Sequence, residues 1–264
     1  MEPVYQNKDF QALARQFDQP GVKAIVLMGS YARGNPGVFS DVDLVRFTDE
    51  QSTTPSDSES HLIDGRLVVV SNVGPKDVEK WFTRPEAAVN VIAGIRSARP
   101  LIDRDGAFAT IQARAYAFEW DAAMQKRANV WAGEQLVGWI EEVHKGLQGL
   151  QSDDIGRLLN ARFGLSWGLS NVVKTQRGIL ISGDNAFYDE IAEAIGRDSK
   201  WTALRKIAYG IEDEFGNAPT LRRQVVAGLR LYVETVRLLK DALHPGHKPL
   251  IEQTVAQINR VPME

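Results

Sequence analysis

The sequence contains no cysteine among its 264 residues. Disulfide frameworks, catalytic thiolates and zinc sites built from cysteine are therefore excluded. Any chemistry that this chain performs has to use oxygen and nitrogen side chains.

Long apolar segments and a strong net charge are also missing. No stretch of about 18 apolar residues is present to span a bilayer, and the first residues show neither a basic segment nor an apolar run. We therefore expect a cytoplasmic protein without a membrane partner. The net charge of −3, from 31 basic and 34 acidic residues, provides no general basic field for a long nucleic acid. It is compatible with a small substrate, including a cationic one.

The most informative segment is VKAIVLMGSYARGNPGVFSDVDLV, which begins at Val22. Its apolar, β-branched start predicts a strand that ends at Gly29-Ser30, where a glycine lets the backbone approach a ligand closely. Asp41 and Asp43 follow in a second apolar segment. Because side chains alternate along a strand, both carboxylates point to the same side. They repel each other unless a cation lies between them, so the pattern indicates a metal site beside a phosphate-binding turn.

This segment resembles the nucleotidyltransferase superfamily, which includes DNA polymerase beta and, with the closest resemblance here, the kanamycin and streptomycin nucleotidyltransferases. The family pattern is an apolar strand, Gly-Ser, and then Asp-x-Asp in a second strand. The matching residues are Gly29, Ser30, Arg33, Gly34, Asp41 and Asp43. The resemblance implies that Asp41 and Asp43 hold Mg²⁺, that Gly29 and Ser30 bind the phosphates of ATP, and that Arg33 assists them. For Arg33 an ordinary surface arginine is the alternative.

The sequence departs from the family pattern at a third carboxylate, which usually lies on a later strand. The corresponding positions are Val69 and Val70, and neither can bind a metal or accept a proton. In the kanamycin-type enzymes a glutamate of the second domain acts as the base, which makes Glu141 the candidate here, with Lys145 toward the phosphates. A solvated Glu–Lys pair is the alternative, because residues four apart share one helix face. Competing acids are Glu119, Glu134 and Glu142.

The organisation along the chain predicts an α/β part followed by an all-α part. Hydrophobic residues make up 44% of the chain and charged residues 25%, which is ordinary for a globular protein of one large or two smaller domains. We expect a small mixed-sheet nucleotidyltransferase domain over residues 1–105 and a helical bundle domain that binds the substrate over 106–264. The predicted elements are a helix over 8–18, a polar loop over 50–60, a hairpin at Asp64-Gly65, helices over 76–82 and 85–95, a strand over 100–102, and a buried helix over 158–173.

These observations lead to an expected function. The protein would transfer a nucleotide monophosphate, AMP from ATP, to a hydroxyl group of a small, aminoglycoside-like acceptor with Mg²⁺ as cofactor. Two alternatives stay open: a nucleotide-binding pseudoenzyme, which the missing third carboxylate favours, and an antitoxin-like nucleotidyltransferase that modifies a protein. A homodimer is compatible with the sequence.

Overall fold

The computed structural model describes residues 7–49, 58–213 and 215–262. The chain forms two compact units. The first comprises Met1–Glu119 together with the short segment Leu180–Asp184, and the second comprises Trp120–Ile179 and Asn185–Glu264. The sequence placed the division after residue 105. The first unit extends further because the helix that follows the last strand packs back on the sheet.

A mixed sheet of five strands organises the first unit. The strands are β1 (Val22–Leu27), β2 (Val42–Thr48), β3 (Glu59–Ile63), β4 (Arg66–Val73) and β5 (Arg99–Asp103). Their order in the sheet is β3-β4-β2-β1-β5. Among the described strands, the β2–β4 pair is parallel, whereas β1–β2, β1–β5 and β3–β4 are antiparallel. This order places β2, the strand that carries Asp43, in the middle of the sheet.

The local sequence explains the turn and the helix starts of this unit. Asp64 and Gly65 have φ values of 49° and 74°, the left-handed pair that a tight two-residue hairpin requires. Proline occupies the first position of two helices, where its missing N–H costs no intrahelical hydrogen bond. The helices are α1 (Asn7–Gln16), α2 (Gly29–Arg33), α3 (Pro75–Thr83), α4 (Pro85–Ser97) and α5 (Ala107–Tyr116).

The core of the first unit lies between α1 and the central strands of the sheet. It contains Phe10 and Leu13 of α1 together with alternate residues of the sheet, among them Ile25, Leu44 and Val70. Packing on the buried face therefore fixes the register of β2, because a shift by one residue would exchange its apolar face with the face that carries Asp43.

The described residues of the second unit contain helices and no strand. They are α6 (Ala122–Gly138), α7 (Ile140–Ser152), α8 (Ile155–Phe163), α9 (Leu169–Gln176), α10 (Phe187–Ile195), α11 (Lys200–Tyr209), α12 (Leu221–Leu239) and α13 (Lys248–Ile258). Four of these helices begin at a side-chain N-cap, from Asp121, Asp154, Ser199 and Thr220. None of the described helices has both the length and the hydrophobicity needed to cross a membrane.

The expected fold class, a mixed-sheet domain followed by helices, is confirmed. The hairpin and the helices before β5 also form where the sequence predicts them. The predicted loop over 50–60 lies largely outside the described residues, and its end, Glu59 and Ser60, belongs to β3.

The single buried helix predicted over 158–173 is wrong in two respects. It is divided by a π-helical turn, Gly164–Gly168, and it exposes Leu159, Phe163 and Trp167. The glycines explain the packing of this turn. A Cβ on Gly168 would lie 2.3 Å from the Trp139 ring, so glycine lets α7 begin in close contact with this turn.

Candidate functional site

The Gly29-Ser30 turn follows β1 directly and lies against β2. The backbone N–H of Met28 donates to the carbonyl oxygen of Asp43 at 2.9 Å. Gly29 has a φ of 65°, and a Cβ on it would lie 2.0 Å from Oδ2 of Asp43. Only glycine tolerates both the left-handed backbone and this contact. The turn therefore keeps the Asp43 carboxylate directly against the main chain.

The short helix α2 is fixed by its tyrosine. Tyr31 is buried, contacts the Phe10 ring with centroids 5.5 Å apart, and accepts a hydrogen bond at its hydroxyl from Arg66. Gly34 ends the helix in the left-handed region with φ of 79°. Tyr31 thus holds α2 on the core, while Ser30 and Arg33 stay partly exposed on the same element.

Asp41 precedes β2 by one residue and Asp43 lies within it; both are partly buried. Burial, together with the negative charges of Asp41 and Asp184, raises the pKa of Asp43 to about 6, although the positive charge of Arg33 opposes the shift. A carboxyl with this pKa is poorly compensated by the protein around it. The same environment would stabilise a bound cation.

The register of the sheet locates the missing third carboxylate. In the parallel β2–β4 pair, Asp43 lies beside Val69, so Val69 occupies the place where a family member would carry its acid. Val70 faces the opposite side and is buried in the core. Within the described residues, β2 and the residue before it therefore supply Asp43 and Asp41 to the site, and β4 adds no carboxylate beside Asp43.

The segment Leu180–Asp184, which is distant in sequence, also belongs to the first unit and contacts Arg33. The buried Ile181 donates its N–H to the carbonyl oxygen of Val89 in α4 at 3.0 Å. Nη1 of Arg33 donates to the carbonyl oxygen of Ser182 at 2.9 Å. Asp184, at the end of the segment, is exposed and acts electrostatically on Asp43. The segment Leu180–Asp184 therefore both anchors Arg33 and brings a third negative charge to the site.

Sequence reasoning missed Asp184. Gly183 marks a break between helices, but nothing in the local pattern indicates that the chain returns there to the sheet. The Arg33–Ser182 hydrogen bond uses a backbone oxygen, which leaves no signal in the residue types.

Glu141 and Lys145 belong to the second unit. Nζ of Lys145 lies 2.8 Å from Oε1 of Glu141 and 2.7 Å from Oε1 of Glu142. The Glu141 side chain is 74% exposed, and the hydrogen bond from Lys145 lowers its pKa. These features are those of a solvated surface pair. The roles of Glu141 as a base and of Lys145 as a phosphate ligand stay predictions.

The donor set of the site fits Mg²⁺ that arrives with a nucleotide. Among the described residues no group of three or more histidine, aspartate or glutamate side chains is placed to hold a metal by itself. Mg²⁺ is commonly bound by one or two carboxylates together with the phosphates of its substrate. Asp41 and Asp43 are the residues that would hold it here.

Comparisons with known proteins concern the fold of the N-terminal part. Residues 11–93 match the nucleotidyltransferase domain family. Eleven solved chains are similar in structure. One of them is a nucleotidyltransferase-like protein from Exiguobacterium sibiricum, with a TM-score of 0.50 and 12% sequence identity over 94% of this chain and 79% of that chain. No curated protein sequence matched. The chain thus has a nucleotidyltransferase domain in its N-terminal part, followed by a helical region.

Proposed function

We propose that the protein transfers AMP from ATP to a hydroxyl group of a small-molecule acceptor, with Mg²⁺ as cofactor, in the manner of the kanamycin and streptomycin nucleotidyltransferases. The observation that carries this proposal is the environment of Asp43. Its carboxylate is packed against Gly29, lies near Asp41, and has a pKa raised to about 6. Such a group gains most from a cation bound beside it.

The residues of the turn and the strand would divide the tasks of this reaction between them. Asp41 and Asp43 would hold the ion, which neutralises charge on the triphosphate and aligns it for in-line attack. The turn formed by Gly29 and Ser30 would receive the phosphates, and Arg33, held by Ser182, would offset their charge. The acceptor oxygen forms a bond to the α-phosphorus, the bond to pyrophosphate breaks, and a base receives the hydroxyl proton.

A nucleotide-binding pseudoenzyme is the second candidate. The observation that favours it is Val69 beside Asp43. Both candidates require Mg²⁺-dependent binding of ATP, and only the first requires that labelled AMP is transferred to an acceptor.

Calorimetry with ATP tests the part that both candidates share. The wild type should bind ATP in the presence of Mg²⁺ and much more weakly in a chelator. The double variant Asp41→Asn, Asp43→Asn should lose this metal dependence and remain folded, because it removes two carboxylates that repel each other.

A matched control removes the same charge elsewhere in the first unit. Asp64 and Asp105 are exposed and have φ values of 49° and 56°, a conformation that asparagine tolerates well. Asp64→Asn with Asp105→Asn should therefore bind Mg²⁺ and ATP like the wild type. Equal binding by the wild type and the Asp41, Asp43 variant would refute the proposed function.

A further inference from the structure

The site lacks a proton acceptor on the strand where the superfamily pattern places one. The side chain beside Asp43 on β4 is Val69, which is apolar. Transfer to a hydroxyl group benefits from a positioned base by about 10²- to 10⁴-fold. If the domain transfers AMP and Asp43 binds the metal ion, β4 offers no further carboxylate beside it, so we expect the base on another element.

The segment Leu180–Asp184 is such an element, and it is attached to the first unit at two points. Ile181 is buried and hydrogen-bonded to Val89 of α4. Ser182 accepts a hydrogen bond from Arg33, and a Cβ on Gly183 would lie 3.3 Å from the Arg33 guanidinium. Gly183 therefore packs directly on Arg33, and Asp184 is the residue that follows this contact.

Asp184 has two properties that suit a base. It is exposed, so that an acceptor can reach it. Its charge also acts on Asp43, so the two carboxylates lie in one electrostatic environment, with Arg33 acting in the opposite direction. Asp184 is not placed to form a three-carboxylate metal site with Asp41 and Asp43, since no such group exists among the described residues.

We propose that Asp184 is the catalytic base of the nucleotidyl transfer, held beside the site by the contacts of Ile181 and Ser182 and replacing the acid that Val69 does not supply. In this step an Asp184 carboxylate oxygen accepts the proton of the acceptor hydroxyl. The acceptor oxygen forms its bond to the α-phosphorus of ATP, and the bond between that phosphorus and pyrophosphate breaks. The inference rests on the proposed function and assigns the proton acceptor that β4 does not provide.

The test separates binding from turnover in the full-length protein. Mg²⁺-dependent ATP binding is measured by calorimetry, and the transfer of α-³²P-labelled AMP is measured with kanamycin, streptomycin and water as the hydroxyl donors. The variants are Asp184→Asn, Asp184→Glu and Asp184→Ala. Asp105→Asn is the control, since it removes an exposed carboxylate of the same unit.

Asp184→Asn should lower the transfer rate by about 10²- to 10⁴-fold with little change in ATP affinity. Asp184→Glu should keep part of the rate. Added formate should restore part of the activity of Asp184→Ala, because a free carboxylate can accept the proton in the space left by the side chain. A residue with a purely structural role would not respond to formate.

Two outcomes would overturn the assignment and leave the proposed function intact. One is Asp184→Asn with the wild-type transfer rate, most clearly if Glu141→Gln loses it instead. The other is a loss of ATP affinity in parallel with the rate, without recovery in formate. A wild type that binds ATP with Mg²⁺ but transfers no label would overturn both the base and the transfer reaction, and would leave a nucleotide-binding protein.

Discussion

Two carboxylates, one in each unit, show what distinguishes a candidate site from an ordinary surface. Asp43 lies on a central strand against Gly29, and burial together with Asp41 raises its pKa to about 6. Glu141 lies on the exposed side of α7, and the hydrogen bond from Lys145 lowers its pKa. The protein compensates the charge of Glu141 and leaves that of Asp43 poorly compensated. Side chains whose pKa is shifted in this way are concentrated at functional sites.

The largest expected effect comes from the turn that holds Asp43. Gly29→Ala adds a Cβ 2.0 Å from the Asp43 carboxylate at a φ of 65°. Backbone strain and overlap together should lower the free energy of unfolding by about 2 to 5 kcal/mol. Chemical denaturation measures this change.

Gly34→Ala is the matched control for that substitution. Gly34 has a φ of 79°, but nothing lies within 4 Å of its Cβ position. It should lose only the backbone preference, about 1 to 2 kcal/mol. Equal losses at both glycines would show that the contact with Asp43 contributes nothing.

A second substitution adds the missing carboxylate to the sheet. Val69→Asp places a partly buried charge beside Asp43. Without metal it should lower the free energy of unfolding by about 1 to 3 kcal/mol, and Mg²⁺ should restore part of the loss. Thermal unfolding with and without Mg²⁺ measures both effects.

Leu67→Asp serves as the control for Val69→Asp. Leu67 is two residues earlier on the same strand, on the same side, and exposed. Its variant should not respond to Mg²⁺. A response of similar size at both positions would mean that the neighbourhood of Asp43 has no special affinity for a cation.

A smaller effect is expected from the charge of Asp43 itself. Asp43 keeps a proton in the folded state between about pH 4 and pH 6, where the unfolded chain has already lost it. Its contribution to stability therefore falls as the pH rises through this range. One pKa unit corresponds to about 1.4 kcal/mol, and partial exposure reduces the effect. In the absence of metal, Asp43→Asn should therefore be more stable than the wild type by about 1 to 2 kcal/mol at pH 8.

The same comparison at low pH provides the check. Near pH 4 the stability difference between Asp43→Asn and the wild type should become small, because the carboxyl is protonated in the folded protein. Denaturation curves at the two pH values measure this trend. A difference that does not change with pH would contradict the raised pKa.

The smallest effect is expected at the other carboxylate of the comparison. Glu141→Gln breaks an exposed ion pair whose lysine keeps Glu142 as a partner. Its free energy of unfolding should change by less than about 0.5 kcal/mol. A decrease of more than about 1 kcal/mol in the free energy of unfolding would show that the Glu141–Lys145 pair stabilises the fold more than an exposed ion pair usually does.

The order of elements in the first unit was predictable because short-range rules decide it. Asp64-Gly65 allows little besides a tight hairpin, and the proline that opens α3 or α4 restricts the backbone to a helix start. The helix over 158–173 was predicted less well. Its apolar residues, which lie on nearly every face, predict a buried helix, whereas the π-helical turn presents Trp167 to the surface.

The sequence alone determined which residues form the candidate site on the turn and the strand. The residue types at Gly29, Ser30, Asp41 and Asp43, with the strand alternation, predict a metal site beside a phosphate turn. The resemblance to the superfamily also implies a missing third acid at Val69 or Val70, and neither residue can ionise. The prediction of the metal site depends on residues close in sequence, where backbone geometry is fixed by local rules.

Only the tertiary structure decided which distant segment joins the candidate site. The chain returns from the helical region to place Asp184 near Asp43 and the Ser182 carbonyl on Arg33. This return depends on the packing of Ile181 and on one backbone hydrogen bond to Val89. Contacts between residues so distant in sequence depend on how the whole core packs. The residue types next to each contact therefore do not predict it.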